Sequence, residues 1–524
     1  MIKSGLLSKK NMFYIILAVY VAVNLATLTS FPFVHSDEAW LSGLSRNILE
    51  KGDYSVTETF FDLMERHPHA IKIIFHTIQI LFIKIMGYSL FTFRFISLCF
   101  GLLTLYFVYR LGIIIFSSAR SALLTVILMA VDVQFIYAAH FARQEIIILF
   151  LLVLGMWYKL KNSENLSIRH DIMLGIIIGL AVGIHPNSFI ISLPFGLIYL
   201  YEILILKQRR FLGLTAYIAT VAGFAAFFVA VSFSFDPNFI SNYAKYGNSF
   251  DVFDPITSKA GEAKEFYLKL YYGVSGTYYT PDIRFQFFLF GAALPASIYR
   301  LFRHRQASSL KHGIISVLLA IAAINAGIII IGRFNQTSIV LLFPLFYILL
   351  VYSLDGMATS YRYTAALLIL AALTAFTLSN QLEYRGNSYD GYLKEISHVI
   401  NPADNTLGNL NSDYFFANGK LHDYRNLQFL EDSGMSFEAY IKTNDIKWII
   451  FSEELELIHQ LRPRWDGIYG PLDYYDEMKE FLENDCTLQY EFTDAYYGIR
   501  IVRYIGLKDW RIKIYRVNNY TKSV

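Results

Sequence analysis

Residues 12–34 read MFYIILAVYVAVNLATLTSFPFV and run straight into HSDEAW at 35–40. The first stretch contains no Asp, Glu, Lys or Arg and is long enough to cross a bilayer as one helix. Immediately beyond it stand His35 and the adjacent carboxylates Asp37 and Glu38. A carboxylate pair at a membrane surface does nothing to keep a helix inserted, so it invites a chemical reading. A plainer reading is a helix N-cap, with Ser36 or Asp37 capping a surface helix through Trp40 and Leu44. The hexapeptide alone supports both.

Working outward, composition sets the broad class. The chain has 524 residues, 55% hydrophobic and 17% aromatic, and apolar runs recur along most of its length. That is the signature of a polytopic membrane protein. The formal charge of +3 is spread along the chain, with no basic patch of the kind that binds nucleic acid. Lys3, Lys9 and Lys10 precede an apolar core that is too long for a signal peptide and lacks a small-residue cleavage site, so an uncleaved signal anchor is expected. Cys99 and Cys486 are the only cysteines, which excludes a disulfide framework and a zinc ribbon.

Spans are expected near 12–31, 92–110, 121–138, 144–158, 172–185, 188–206, 212–233, 285–301, 314–331, 338–353 and 364–380. With the N-terminus inside, each inside segment is basic: Arg110 with Arg120, Lys159 with Lys161 and Arg169, Lys207 with Arg209 and Arg210, Arg300 through Lys311, then Arg362. Residues 69–86 are apolar but interrupted by Lys72, His76, Gln79 and Lys84, and read as an amphipathic helix in the outer interface. The expected fold class is therefore an α-helical polytopic membrane protein of about eleven spans with a C-terminal extracytoplasmic α/β domain. Residues 1–380 form the membrane part, with outer loops 32–91 and 234–284, and 381–524 the soluble part. Aromatic residues of the second loop, Tyr278-Tyr279 among them, are expected to anchor at headgroup level. In the tail, 447–451 reads as a buried strand, 474–484 as a helix and 511–515 as an alternating strand. Gly175, Gly179 and Gly183 make a small-residue stripe suited to close helix packing.

This topology puts the notable polar residues on one side: His35, Asp37 and Glu38; Glu65-Arg66-His67-Pro68-His69; His140, Arg143 and Glu145; His185; and Arg333. One such residue is commonly a snorkelling anchor. Five groups on one face indicate a polar pocket holding carboxylates and cations together.

The order of these elements resembles the GT-C glycosyltransferases, in particular the protein O-mannosyltransferases and the aminoarabinose transferases of lipid A. Asp37-Glu38 matches the Asp-Glu pair that opens the first external loop of that superfamily. His67-Pro68-His69-Ala70 resembles its Lys-Pro-Pro or His-Pro-Pro-Leu element, with His69 in place of the second proline. Arg94-Phe95-Ile96-Ser97 resembles its Arg-Phe-Ile-Ser element. His140-Phe141-Ala142-Arg143-Gln144-Glu145 resembles Arg-Tyr-x-Arg-x-Asp, with a histidine for the first arginine and a glutamate for the aspartate. His185-Pro186 matches a Lys-Gly-Pro element only loosely, and Arg333 falls where the family often carries a basic residue. The resemblance spans residues 10–380.

What the resemblance implies is a membrane glycosyltransferase that moves a sugar from a polyprenyl-phosphate donor to a protein, glycolipid or cell-envelope glycan at the outer face of a bacterial or archaeal plasma membrane. Asp37 is then the general base, and Glu38 orients it or caps the helix. Arg143, Arg333 and His67 bind the donor phosphate, supported by Glu145, His140 and His185. Asp37→Asn is accordingly expected to cost more than Glu38→Gln. Membrane lipids are the surrounding partners, and nucleic acid is not one. His35, Asp37 and Glu38 are also ligand types that a divalent metal accepts, although their spacing matches no metal motif. The rival from another class is a transporter or flippase for a lipid-linked or anionic substrate. Against it, no paired interrupted spans in two matching halves are seen.

Overall fold

The computed structural model of the chain describes residues 9–248, 252–274, 277–303, 306–332, 334–464, 469–497 and 509–518. Helix α1 (Lys9–Thr27) leads through a short extended segment to α2 (Ser36–Lys51) and α3 (Ile73–Met86). The bundle continues with α4 (Leu90–Phe116), α5 (Ala119–Ala130), α6 (Val133–His140), α7 (Glu145–Lys161), α8 (Ile168–Gly179), α9 (Phe189–Leu200) and α10 (Phe211–Phe235). Two shorter helices, α11 (Phe239–Asn248) and α12 (Ile256–Tyr272), precede α13 (Arg284–Arg303), α14 (Ser308–Ile331), α15 (Phe343–Leu354) and α16 (Thr359–Glu383). Helix therefore forms at every expected span. Among the described residues, seven helices are long and apolar enough to cross a membrane, or eight when α5 and α6, bent by 67°, count as one. Helices α9 and α15 count with their flanking helical turns, as Pro186–Ile205 and Gln336–Leu354, and α1, α7 and α8 complete the expected set. Helix α7 is buried along most of its length, so its apolar residues face protein on nearly all sides.

Close approach of α8 to α10 comes from the glycine stripe. A Cβ at Gly175 would lie 2.6 Å from Thr220, one at Gly179 2.6 Å from Phe224, and one at Gly183 2.5 Å from Phe228. Only glycine fits that seam, a packing role. At the opposite end of the bundle from Asp37, two of the basic loop residues are buried. Lys159 pairs with Glu202 at 2.5 Å, and Arg209 bridges Glu202 and Asp171 at 2.8 and 2.6 Å. These charges lock α7, α8 and the turn after α9 together.

Helix α3 is amphipathic with its polar side inward. His76 and Gln79 are buried against α2, where Ser45 Oγ lies 2.8 Å from His76 Nδ1 and donates to Gln79 Oε1 at 2.6 Å. Leu81 and Ile85 stand outward, 55% and 70% exposed. A helix whose apolar face is the outer one suits a lipid interface.

After α16 the chain forms α17 (Tyr389–Ser397) and a sheet of β1 (Thr406–Gly408), β2 (Leu421–Asp423), β3 (Trp448–Ser452), β4 (Cys486–Asp494) and β5 (Trp510–Val517), in the order β2-β1-β3-β5-β4. Strands β2, β1 and β3 are parallel, and β5 pairs antiparallel with β3 and β4. Strand β3 is buried throughout, as its unbroken Trp-Ile-Ile-Phe run requires, and β5 alternates. This region sits on α2. Arg46 donates to both Asp413 oxygens at 2.8 and 3.0 Å and to the Phe416 carbonyl at 2.8 Å, and Tyr88 donates to Asp413 at 2.5 Å.

Candidate active site

The start of α2 is fixed by a cap that local reading did not assign. His35 takes the N-cap: its Nδ1 accepts the Asp37 N–H at 3.0 Å, and the Glu38 carboxylate accepts the His35 N–H at 2.9 Å. This reciprocal pair is a capping box with an imidazole in the Ser/Thr position. Neither Ser36 nor Asp37 caps the helix, so the Asp37 side chain is left for other contacts.

Glu38 faces the other way. Its carboxylate is fully buried and takes Arg94 Nε on one oxygen at 2.8 Å and Arg94 Nη2 on the other at 2.9 Å. The Ala142 N–H adds a further bond at 3.1 Å. Arg94, equally buried, spends Nη1 on the Leu28 and Pro32 carbonyls at 3.0 Å each. The pair staples the exit of α1 to α4 and to the loop before α7. Glu38 therefore diverges from Asp37, and His35, Asp37 and Glu38, although ligand types a divalent metal accepts, do not converge. Among the described residues no group of three or more His, Cys, Asp or Glu is placed to hold a metal.

Asp37 lies 19% exposed in a cage built by distant segments. Tyr278 donates its hydroxyl to Asp37 Oδ2 at 2.6 Å, and Arg143 Nη1 lies 3.2 Å from the same oxygen. The Tyr278 ring stacks on His35 at 4.4 Å and lies 5.2 Å from the Arg143 guanidinium carbon. Thr277 Oγ1 lies 2.8 Å from His35 Nε2 and fixes the other side of that ring. Burial by itself would raise the Asp37 carboxyl, but His35, Arg143 and the Tyr278 hydroxyl outweigh it and hold the group well below the usual carboxylate range. Burial pushes the Tyr278 phenol up, which keeps it a proton donor to Asp37. The expectation that Tyr278-Tyr279 anchor at headgroup level gives way to this geometry. Tyr279 is 2% exposed and donates to Asn380 Oδ1 at 2.8 Å. Sequence reasoning missed Tyr278, Thr277 and the pairing role of Arg94, and only the Tyr-rich composition near 278 marked that loop.

The remaining expected residues divide into two groups. Arg143 is buried between Asp37 and Glu145, with Nη2 3.2 Å from Glu145 Oε1, and its Nε and Nη1 have no hydrogen bond among the described residues. Glu145 also accepts from Thr337 Oγ1 at 2.7 Å. His140 is fully buried and donates from Nδ1 to the Phe31 carbonyl at 2.9 Å, so it braces the chain ahead of His35. His67 and His185 belong elsewhere, to a cavity of about 180 Å³ shared with Arg66, His69, Lys72 and Lys245. Glu65 is the one carboxylate among its described lining residues. Burial, reinforced by the Lys72 charge, brings His69 down to about 3, so its ring is neutral. His67 accepts the Asn242 amide N–H on Nδ1 at 3.0 Å, and its Nε2 lies 3.1 Å from Glu65. Arg333 lies outside the described residues.

Comparison with known proteins agrees with this architecture. A sequence model of the family described as dolichyl-phosphate-mannose-protein mannosyltransferase matches residues 67–233. No curated protein matches the chain. Among solved structures, ArnT from Cupriavidus metallidurans bound to undecaprenyl phosphate superposes with a TM-score of 0.61 at 13% identity, covering 96% of this chain and 97% of that one. The oligosaccharyltransferase AglB from Archaeoglobus fulgidus, in complex with an inhibitory peptide and a dolichol-phosphate, gives a TM-score of 0.51 at 13% identity, with 98% and 75% covered. The A. fulgidus oligosaccharyltransferase in complex with Zn and sulfate gives 0.51 at 14% identity, with 86% and 69% covered. At these identities the likeness is one of fold, and the fold is GT-C.

Proposed function

We propose that this multi-pass membrane protein of GT-C fold is a glycosyltransferase moving a sugar from a polyprenyl-phosphate donor to an acceptor hydroxyl or amine. The observation that carries the reading is Asp37: an ionised carboxylate at the bundle end where α1 emerges, held from three sides yet still partly open. The basic cavity around His67 lies at the same end of the bundle. The match over 67–233 and the lipid phosphates in the ArnT and AglB structures support the donor class.

In this reading the donor phosphate occupies the cavity of His67, His185, Lys72 and Lys245, whose positive charge meets the charge that develops on the leaving phosphate. Arg143, expected at the phosphate, is assigned instead to holding Asp37, because the Asp37 and Glu145 carboxylates each lie 3.2 Å from it. As the anomeric carbon–phosphate bond breaks, its electron pair leaves with the phosphate. The acceptor oxygen or nitrogen bonds to the anomeric carbon, and its proton passes to Asp37. A carboxylate held this low is a weak base, which suffices once the attacking group carries positive charge and has become strongly acidic. The prenyl tail stays in the bilayer throughout. The site faces outward, with the N-terminus cytoplasmic and the sheet region extracytoplasmic, in a prokaryotic plasma membrane. The alternation of basic segments supports that orientation, and labelling of cysteines placed at the exposed Asn248 and Ser433 in intact cells tests it.

The decisive test is transfer from a radiolabelled polyprenyl-phosphate mannose in proteoliposomes. Asp37→Asn keeps the shape and removes the basicity, so transfer falls by roughly 10²–10⁴ with donor affinity little changed, the usual range for a lost general base. Near-normal transfer by that variant overturns the role of Asp37. Translocation of donor without transfer by the wild type overturns the enzyme reading in favour of a flippase.

A further inference from the structure

The segment from Asp132 to Glu145 delivers Arg143 to Asp37, and both of its ends are tied to one buried element. Asp132 stands at the 67° break between α5 and α6. Its Oδ1 accepts the Phe135 N–H at 3.0 Å and caps α6. Its Oδ2 takes the Tyr347 hydroxyl at 2.7 Å and the Gln286 amide N–H at 2.9 Å. Asp132 and Tyr347 are both 0% exposed, and all three donors to this carboxylate are neutral. At the other end, Thr337 donates its hydroxyl to Glu145 Oε1 at 2.7 Å. Thr337 Oγ1 also lies 2.8 Å from Asn335 Oδ1, but its one hydrogen goes to the nearer, charged acceptor. Tyr347 lies on α15, and Thr337 lies on the helical turn Gln336–Leu342 that runs straight into it. Turn and helix are buried over most of their length, so they form a fixed post for both bonds.

The consequence falls on Arg143, which two carboxylates share. Nη1 lies 3.2 Å from Asp37 Oδ2, and Nη2 lies 3.2 Å from Glu145 Oε1. The guanidinium is a rigid plane, so a shift toward one carboxylate withdraws it from the other. The Thr337 hydroxyl occupies the same Glu145 oxygen that Nη2 approaches, which weakens the pull of Glu145 and leaves Arg143 within reach of Asp37. The Tyr347 bond fixes where α6 starts, and with it the height at which residues 141–145 meet α2. A misplacement of about 1 Å at a reacting group is enough to cost roughly 10² in rate. We propose that Thr337 and Tyr347 are positioning residues of the sugar-transfer site, holding Arg143 against Asp37 from opposite ends of 132–145 without touching substrate. This rests on the sugar-transfer reading above, in which Arg143 holds the general base.

The test measures apparent kcat and donor KM for the full-length protein in proteoliposomes, with radiolabelled polyprenyl-phosphate mannose as donor and a cell-envelope extract as acceptor. Thr337→Val keeps the side-chain shape and deletes the hydroxyl. It is expected to lower kcat about tenfold and to leave donor KM within about twofold, because the basic cavity lies on other segments. Thr337→Ser restores the hydroxyl and is expected to restore kcat. In a Glu145→Gln background Thr337→Val is expected to cost less than about twofold more, since the hydroxyl acts through that carboxylate. Tyr347→Phe, which keeps the ring, probes the other end and is expected to lower kcat with donor KM unchanged. It carries the test should Thr337→Val fail to fold. A folded Thr337→Val or Tyr347→Phe protein with wild-type kcat overturns the role of that residue. So does a loss in Thr337→Val that serine does not rescue, or one that simply multiplies with the loss in Glu145→Gln. Absence of transfer by the wild type overturns the sugar-transfer reading itself, and the proposal falls with it.

Discussion

Replacing Glu38 with glutamine separates scaffold from chemistry at the junction of α1 and α2. Each Glu38 oxygen receives two donors: Arg94 Nε and the Ala142 N–H on Oε1, Arg94 Nη2 and the His35 N–H on Oε2. A glutamine amide keeps one oxygen and presents an NH2 group at the other position. Whichever way it turns, two N–H donors face that NH2, and Arg94, 0% exposed, loses its counter-charge. Removing one partner of a buried ion pair costs about 3–5 kcal/mol, a large part of the ~5–15 kcal/mol typical of whole proteins. Glu38→Gln should therefore lower the thermal midpoint in detergent and the monodisperse yield, with transfer lost alongside stability. On stability this inverts the ordering in which Glu38→Gln is milder than Asp37→Asn. Glu38→Leu combined with Arg94→Met removes both charges and should be more stable than either single charge deletion, giving a coupling of roughly 2 kcal/mol in a double-mutant cycle. A Glu38→Gln protein that is monodisperse and within about 0.5 kcal/mol of wild type, the usual effect of a surface change, would refute the staple.

Other outcomes follow from single contacts. Tyr278→Phe keeps the stack on His35 but deletes the 2.6 Å bond to Asp37, so turnover should fall about tenfold or more, as for a lost bond to a charged group. Tyr278→Leu, which also loses the aromatic face beside Arg143, should lower the thermal midpoint as well. His76 is brought down to about 3 by burial and the Lys72 charge. The unfolded chain takes up that proton near pH 6.5 while the folded protein does not, so stability falls as pH drops from about 6.5 toward 3, by at most ~1.4 kcal/mol per pH unit. His76→Gln should lessen the fall of the thermal midpoint between pH 6.5 and 5 without abolishing it, because His69, likewise brought down to about 3, keeps its share. Arg46→Met strands Asp413, whose carboxyl burial already raises against the pull of Arg46. It should expose the sheet region to limited proteolysis, less at pH 5 than at pH 8, because a neutral Asp413 no longer needs the pair.

Much of the bundle is legible in the amino-acid sequence, because apolar runs, basic segment ends and the Gly175-Gly179-Gly183 stripe are local patterns with local causes. The same holds for β3 and β5, whose continuous and alternating burial follow from runs of five to eight residues. Asp37 and Arg143 stand out as a carboxylate and a cation beside apolar runs, yet their partnership does not. Tyr278 is 241 residues from Asp37, Thr337 is 192 from Glu145 and Asp413 is 367 from Arg46. No periodicity encodes those distances. The cap is the sharpest case: the hexapeptide from His35 admits Ser36 or Asp37 as the helix cap, and the position falls instead to the His35 imidazole, while Arg94 draws Glu38 inward and leaves Asp37 facing the opening. Local sequence settles where helices form, since each backbone hydrogen bond closes within a few residues. The partners of buried charges are settled by packing, since a charge taken out of water needs a counter-charge wherever the fold brings one.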